Sequence, residues 1–95
     1  MMEKKRGLKD TKDKNRVDLI TPESILGIGE VLTFGAKKYS PNNWQLVEAA
    51  QDKYYAALMR HLLAWRQGEA IDPESKLNHI KHVLTNAMFL LYYEK

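Results

Sequence analysis

There is no cysteine among the 95 residues, which excludes disulfides, thiolate metal sites and cysteine nucleophiles. No apolar run approaches the roughly 18 residues needed to span a bilayer, so no membrane-spanning segment is expected. The charged N-terminus is not followed by an apolar core, so no secretory signal is expected either. A Gly-rich phosphate loop, an HExxH string and a Ser/His/Asp order of a known kind are all missing. Covalent nucleophilic catalysis therefore has no candidate. Strand signals are nearly absent, which leaves an all-α class.

The formal net charge of +3 is unevenly spread. Residues 1–16, MMEKKRGLKDTKDKNR, hold seven Lys/Arg against three acids, and the remaining residues hold eight against nine. The basicity belongs to a tail. Such a tail suits a solvated arm, or an arm that closes over a phosphate-bearing ligand. Without a basic excess in the rest of the chain, a nucleic-acid partner is not expected.

The organisation expected is a basic arm over residues 1–20 and a single helical domain over residues 21–95. Within the arm, RVDLI (16–20) reads as extended. Thr21-Pro22-Glu23 is a helix start, with Thr21 as N-cap, Pro22 in the first turn and an acid near the positive end of the dipole. Ile25, Ile28, Val31, Leu32 and Ala36 carry the apolar spacing to about Tyr39. SPNNW (40–44) is a turn. A second helix is expected from about Val47 to Gln67, stopped by Gly68. A third is expected from Asp72-Pro73-Glu74 to about Tyr93. Three such helices make a bundle. A chain this short buries a modest core, so a second copy is expected to complete it.

Several residues exceed what a bundle needs. At 100° per residue His79, His82 and Asn86 fall within about a 60° arc of the third helix, on an otherwise apolar segment. Such a stripe faces either solvent or a cavity, where imidazoles act as metal donors or phosphate partners. His61 shares a helix face with Tyr54, Ala57 and Trp65, and reads as half-buried. Glu30 is the one acid within the first helix. It is either a surface partner of Lys37 and Lys38 or a divalent-cation ligand beside phosphate-binding lysines. Gly29 and Gly35 are costly in a helix interior and suggest a close approach to the backbone. Asn43 and Trp44 are placed to stack on a base and read its edge, or Trp44 plugs the bundle end. Asp72 and Glu74 are ordinary capping choices that can also contribute to a cation site. Carboxylates, histidines and lysines on helices suit metal-assisted hydrolysis of a phosphoanhydride by water.

The strings EVLTFGAKKY…NNW (30–44) and RHLLAW…GE.IDPES…H (60–79), with the His/Asn stripe that follows, resemble the phage and prophage family named for the N-terminal domain of dATP/dGTP diphosphohydrolase. The resemblance covers roughly residues 16–93. It implies an all-α fold similar to the MazG-like pyrophosphohydrolases, which act as dimers or tetramers with Mg²⁺ or Mn²⁺ held by acids. It implies a nucleotide ligand, a homo-oligomer and a cytoplasmic location, the host cytoplasm for a phage-encoded chain. The implied activity is hydrolysis of a (deoxy)nucleoside triphosphate to the monophosphate and pyrophosphate. Carried onto matching positions, Glu30, Asp72 and Glu74 become candidate metal ligands, and His61 and Glu30 candidate catalytic residues. Lys37, Lys38, Asn43, Trp44, Arg60, His79, His82 and Asn86 become candidate substrate-binding residues, and Glu69 joins the set. One departure stands out: MazG-like enzymes place ExxE and ExxD on their helices, whereas here Glu23 and Glu30 are seven apart and the third helix carries His79-x-x-His82. The alternative reading is a non-catalytic nucleotide-binding phage protein that sequesters a nucleotide signal of the host's defence. A purely structural bundle, with the histidine stripe in solvent, is a third.

Overall fold

The computed structural model describes residues 13–94. Most of the basic tail lies outside the described residues. Its last part forms a single 3-10 turn at Val17–Leu19, not the extended segment expected. Three α-helices follow, α1 at Pro22–Lys38, α2 at Ala50–Arg66 and α3 at His79–Tyr92, with a 3-10 turn at Asn43–Gln45 between the first two. Among the described residues there is no strand, only the isolated bridge between Ile71 and Asn78. The fold is all-α.

α3 is the central element: it packs against both α1 and α2, more extensively against α2. α1 begins as expected, with Pro22 at its first position and Thr21 at the N-cap. The Thr21 hydroxyl bonds the Ser24 hydroxyl at 2.8 Å, so that side chain links the first turn without capping a backbone N–H. α1 meets α3 at Gly27, where an added Cβ would come within 3.0 Å of Lys81 Cγ. The close approach is therefore at Gly27, while Gly29 and Gly35 have open space beside them.

α2 starts later than its sequence pattern suggests. Ala49, its N-cap residue, sits in the left-handed region at φ 52, ψ 43, a conformation that costs an L-residue roughly 1–2 kcal/mol. The chain thus turns sharply before Ala50, which is buried. Gly68, at φ 104, follows the helix end and donates its N–H to the Trp65 carbonyl.

The start of α3 is a correction. The Asp72-Pro73-Glu74 string does not open the helix; α3 begins at His79 with Asn78 at its N-cap. The same letters that make a good helix start also make a good turn, because proline presets φ for either and an Asp side chain can satisfy either. Here the Asp72 carboxylate accepts the Ser75 N–H at 2.9 Å. Lys76 turns left-handed at φ 64. The loop is closed by backbone bonds from Asp72 N to Leu77 O at 2.8 Å and from His79 N to Ala70 O at 2.9 Å. Residues 70–79 thus form a tight loop folded back toward the helices.

The interior is polar. The buried apolar side chains among the described residues are Val31, Ala50 and Phe89, whereas His79, His82, Thr85 and Asn86 are buried polar groups. Thr85 Oγ1 donates to the Lys81 carbonyl and Asn86 Nδ2 to the His82 carbonyl, each at 2.8 Å. An aromatic cluster holds the other end. Trp44 stacks on Phe89 at 4.6 Å and meets Tyr92 edge-on at 4.8 Å. The Trp44 carbonyl accepts the Tyr54 and Tyr93 hydroxyls at 2.8 and 3.0 Å. Trp44 therefore packs at the bundle end, against Phe89 and Tyr92. Burial, with Tyr93 close by, pushes the Tyr54 phenol up to about 12.

Relief of the strain at Ala49 is measurable. Ala49→Gly should stabilise the fold by about 0.5–1 kcal/mol, the left-handed cost less the glycine's extra chain entropy. Thermal denaturation should show a rise of a few degrees in the midpoint.

Candidate functional site

α2 contributes Arg60 and His61, α3 contributes His79, His82 and Asn86, and the 70–79 loop contributes Asp72, Glu74 and Ser75. They converge because α2 and α3 pack side by side and the loop between them folds back over their junction. A cavity of about 540 Å³ is lined by Arg60, His61, Asp72, Glu74, His82 and Asn86 together with Lys38, Asn43 and Trp44. Phe34, Tyr54 and Phe89 add aromatic wall.

His61 and His82 line this cavity, and His79 bonds His61. His61 Nδ1 lies 2.8 Å from His79 Nδ1. His79 Nε2 lies 2.7 Å from Glu69 Oε1. An ionised carboxylate only accepts, so His79 Nε2 carries the hydrogen and donates it. With His79 neutral, its Nδ1 accepts and His61 Nδ1 donates, which leaves His61 Nε2 with a bare lone pair. His79 is 3% exposed, so its ring has no access to bulk water and this pairing defines it. The stripe of His79, His82 and Asn86 therefore faces inward, away from solvent.

His82 is held from a second direction. Its Nε2 lies 2.7 Å from Ser75 Oγ and 3.6 Å from Asp72 Oδ2. Its ring stacks on His61 with centroids 4.2 Å apart and planes 6° from parallel. Two rings so placed resist simultaneous protonation. Burial, then the neighbouring His82, lowers His61 to about 4, against the raising influence of Asp72. Burial also lowers His82, with Asp72 opposing it. Asp72 has the reverse balance: burial raises its carboxyl, but hydrogen bonds from the Ser75 backbone and hydroxyl and the nearby histidines outweigh this and hold it below the usual carboxylate value. At neutral pH the site is two neutral imidazoles, His61 and His82, beside one carboxylate.

His61, Asp72 and His79 each present a donor atom, and these lie within 4.8 Å of one another. That is a set of two nitrogens and one oxygen. The other two carboxylates expected as ligands are engaged elsewhere: Glu74 pairs with Lys38 at 2.5 Å and Glu30 with Lys81 at 2.6 Å. Glu30 and Lys37 line a second, more open hollow with Ile25, Leu26 and Thr33. The paired lysines are thus split, Lys38 to the main cavity and Lys37 to the second. Ser75 went unremarked in the sequence because a serine in a Pro-Glu-Ser string reads as helix-start chemistry. Its spacing of three from Asp72, which suits an Asx-type turn, was the available signal.

Residues 4–95 match the family model described as dATP/dGTP diphosphohydrolase, N-terminal, and the chain belongs to that family. A dATP/dGTP diphosphohydrolase of Salmonella phage PMBT28 is 29% identical over 86 residues, 90% of this chain but 29% of that protein. The chain thus spans less than a third of the relative's length. No solved structure matches.

The neutral histidines give the fold a pH dependence whose sign is fixed. In the unfolded chain His61 takes a proton near 6.5, whereas in the fold it does so only near 4. Between those values the unfolded state binds more protons, so stability rises with pH across this window and is lost as pH falls through it. The lowered His82 acts in the same direction. For metal-free protein, chemical denaturation at pH 7 and pH 4.5 should differ by roughly 1–2 kcal/mol, the His61 shift halved for its partial exposure. His61→Gln should flatten the profile.

Proposed function

We propose that the chain hydrolyses a (deoxy)nucleoside triphosphate with water, releasing the monophosphate and pyrophosphate. The observation that carries this reading is the joining of a buried His/Asp cluster to a cavity that also holds cations and aromatic wall. Lys38 and Arg60 supply positive charge for a polyphosphate. A triphosphate would compete with Glu74 for Lys38, an exchange that costs little because the pair is half-exposed. Trp44, Tyr54 and Phe34 offer apolar surface for a base, and Asn43 an amide for its edge. Asp72, anchored by Ser75, and neutral His61 are the proton acceptors closest to the cluster. In the proposed step water adds to the α-phosphorus, its proton passes to one of these acceptors, and the bond to the bridging oxygen breaks to free pyrophosphate. Were a divalent ion held among His61, His79 and Asp72, these groups would serve as its ligands instead of as proton acceptors, and the ion would supply Lewis-acid charge and a more acidic water whose proton leaves to solvent or to the departing pyrophosphate. The family membership and the relative's name support the substrate class.

A homo-oligomer is part of this reading. Leu26 and Ile25 of α1 are 67% and 57% exposed, and Leu63 of α2 and Leu91 of α3 are 52% and 72% exposed. So much apolar surface on three helices suits association with a second copy. Light scattering on purified protein should give a mass of at least twice 11.0 kDa.

A second reading keeps the ligand and drops the reaction. Because the chain spans only 29% of its relative, the activity in that name need not reside in the matched part. Lys38, Arg60 and the aromatic wall would then clamp an intact nucleotide.

Purified chain with dATP or dGTP and Mg²⁺, Mn²⁺ or Co²⁺ should release pyrophosphate. Lys38→Ala and Arg60→Ala should raise KM several-fold, and His61→Ala should lower kcat about 100-fold or more. Calorimetric binding of a nucleotide recovered intact, with no pyrophosphate under any of the three ions, would favour the binding reading over the enzyme.

A further inference from the structure

We propose that His61, His79 and Asp72 form a centre for a transition-metal divalent ion, with His79 oriented by Glu69, and that Mg²⁺ is not its natural occupant. The inference deepens the preceding reading in that it concerns the same cavity, but it stands on the donor set and does not need hydrolysis to occur.

The donor set comes first. Mg²⁺ favours oxygen donors and binds through one or two carboxylates with substrate phosphates. Here the converging atoms are two imidazole nitrogens and one carboxylate oxygen. Imidazole suits Zn²⁺, Fe²⁺, Co²⁺ and Ni²⁺, and two histidines with one carboxylate on one side of an ion leave positions open for water or phosphate. The carboxylates that would make an oxygen-rich site are occupied by lysines, Glu74 by Lys38 and Glu30 by Lys81.

The spacing comes second. The two Nδ1 atoms lie 2.8 Å apart. Two nitrogens each about 2.1 Å from one ion and at right angles to it are about 3.0 Å apart. Replacing the shared proton by an ion in that arrangement asks for a small widening together with a rotation of the two rings that turns both lone pairs toward the ion.

The third observation lies behind the ligands. A ligating histidine usually gives its other ring N–H to a carboxylate, which fixes the tautomer and makes the free nitrogen more basic. Glu69 does this for His79 at 2.7 Å. Its carboxylate reaches a ring that is otherwise 3% exposed. Asp72 has its own support, from the Ser75 N–H at 2.9 Å and from His82 Nε2 at 3.6 Å. Two of the three proposed ligands, His79 and Asp72, are thus held by groups that are not themselves ligands.

The test uses the full chain stripped of metal with a chelator and titrated with Co²⁺, followed by visible absorption and calorimetry. One Co²⁺ per chain should bind, with d–d bands of a nitrogen/oxygen site, and Zn²⁺ should displace it. A large excess of Mg²⁺ should not. His61→Gln and His79→Gln should each abolish the bands, with circular dichroism confirming that the helices remain. Glu69→Gln should weaken Co²⁺ binding about 10- to 100-fold without changing the band positions, as expected of a positioning residue. Bands that survive in both histidine variants, displacement by modest Mg²⁺, or no saturable binding of Co²⁺ or Zn²⁺ would overturn the proposal. Pyrophosphate release plays no part in these outcomes. A chain that binds Co²⁺ but cleaves nothing loses only the hydrolase reading, and one that cleaves with Mg²⁺ alone while ignoring Co²⁺ loses only the metal inference.

Discussion

The contact between His61 and His79, Nδ1 to Nδ1 at 2.8 Å, is the constraint around which the described residues are arranged. Two imidazoles in a buried setting are costly unless every nitrogen has a partner. Glu69 satisfies the far side of His79. Ser75 and Asp72 hold His82, whose ring stacks on His61. These partners all come from the segment between α2 and α3, so that loop must fold back over the helix junction. Its backbone bonds, Asp72 to Leu77 and His79 to Ala70, are what let it do so. Among the described residues no buried side-chain nitrogen or oxygen lacks a partner.

The cost of that polar interior shows in the rest of the molecule. Few apolar side chains are buried, and the aromatic cluster of Trp44, Tyr54, Phe89 and Tyr92 anchors the end away from the histidines. Large apolar groups such as Leu26 and Leu91 remain outside. A small chain that gives its centre to histidines, a threonine and an asparagine has little apolar area left to hide. The same choice that makes a polar cavity also leaves apolar surface exposed on the helices.

Much of this was legible in the sequence, and the misses have physical causes. The stripe of His79, His82 and Asn86 is readable because helical periodicity does not depend on knowing the partner helix, but whether it faces solvent or a cavity is decided by the packing of α2 and the loop against it. The start of α3 is not readable, because Asp72-Pro73-Glu74 suits a helix cap and a turn equally, and only the left-handed Lys76 decides between them. Gly29 and Gly35 drew attention as helix glycines, yet Gly27 is the one that meets another helix. Which glycine a neighbour approaches depends on the packing angle. Glu30 reads as a ligand because it is the one acid beyond the first turn of its helix. Its position opposite Lys81, 51 residues away, follows from the α1–α3 packing.

The three histidines form one network, His61 hydrogen-bonded to His79 and stacked on His82. Long-range proton–nitrogen spectra of the imidazole rings in metal-free protein test it most directly. The account predicts a His79 ring protonated at Nε2 with an accepting Nδ1, a His61 ring protonated at Nδ1, and a His61 that is still largely neutral at pH 5. A His61 that titrates near 6.5 with the tautomer mixture of a solvent-exposed imidazole would contradict it.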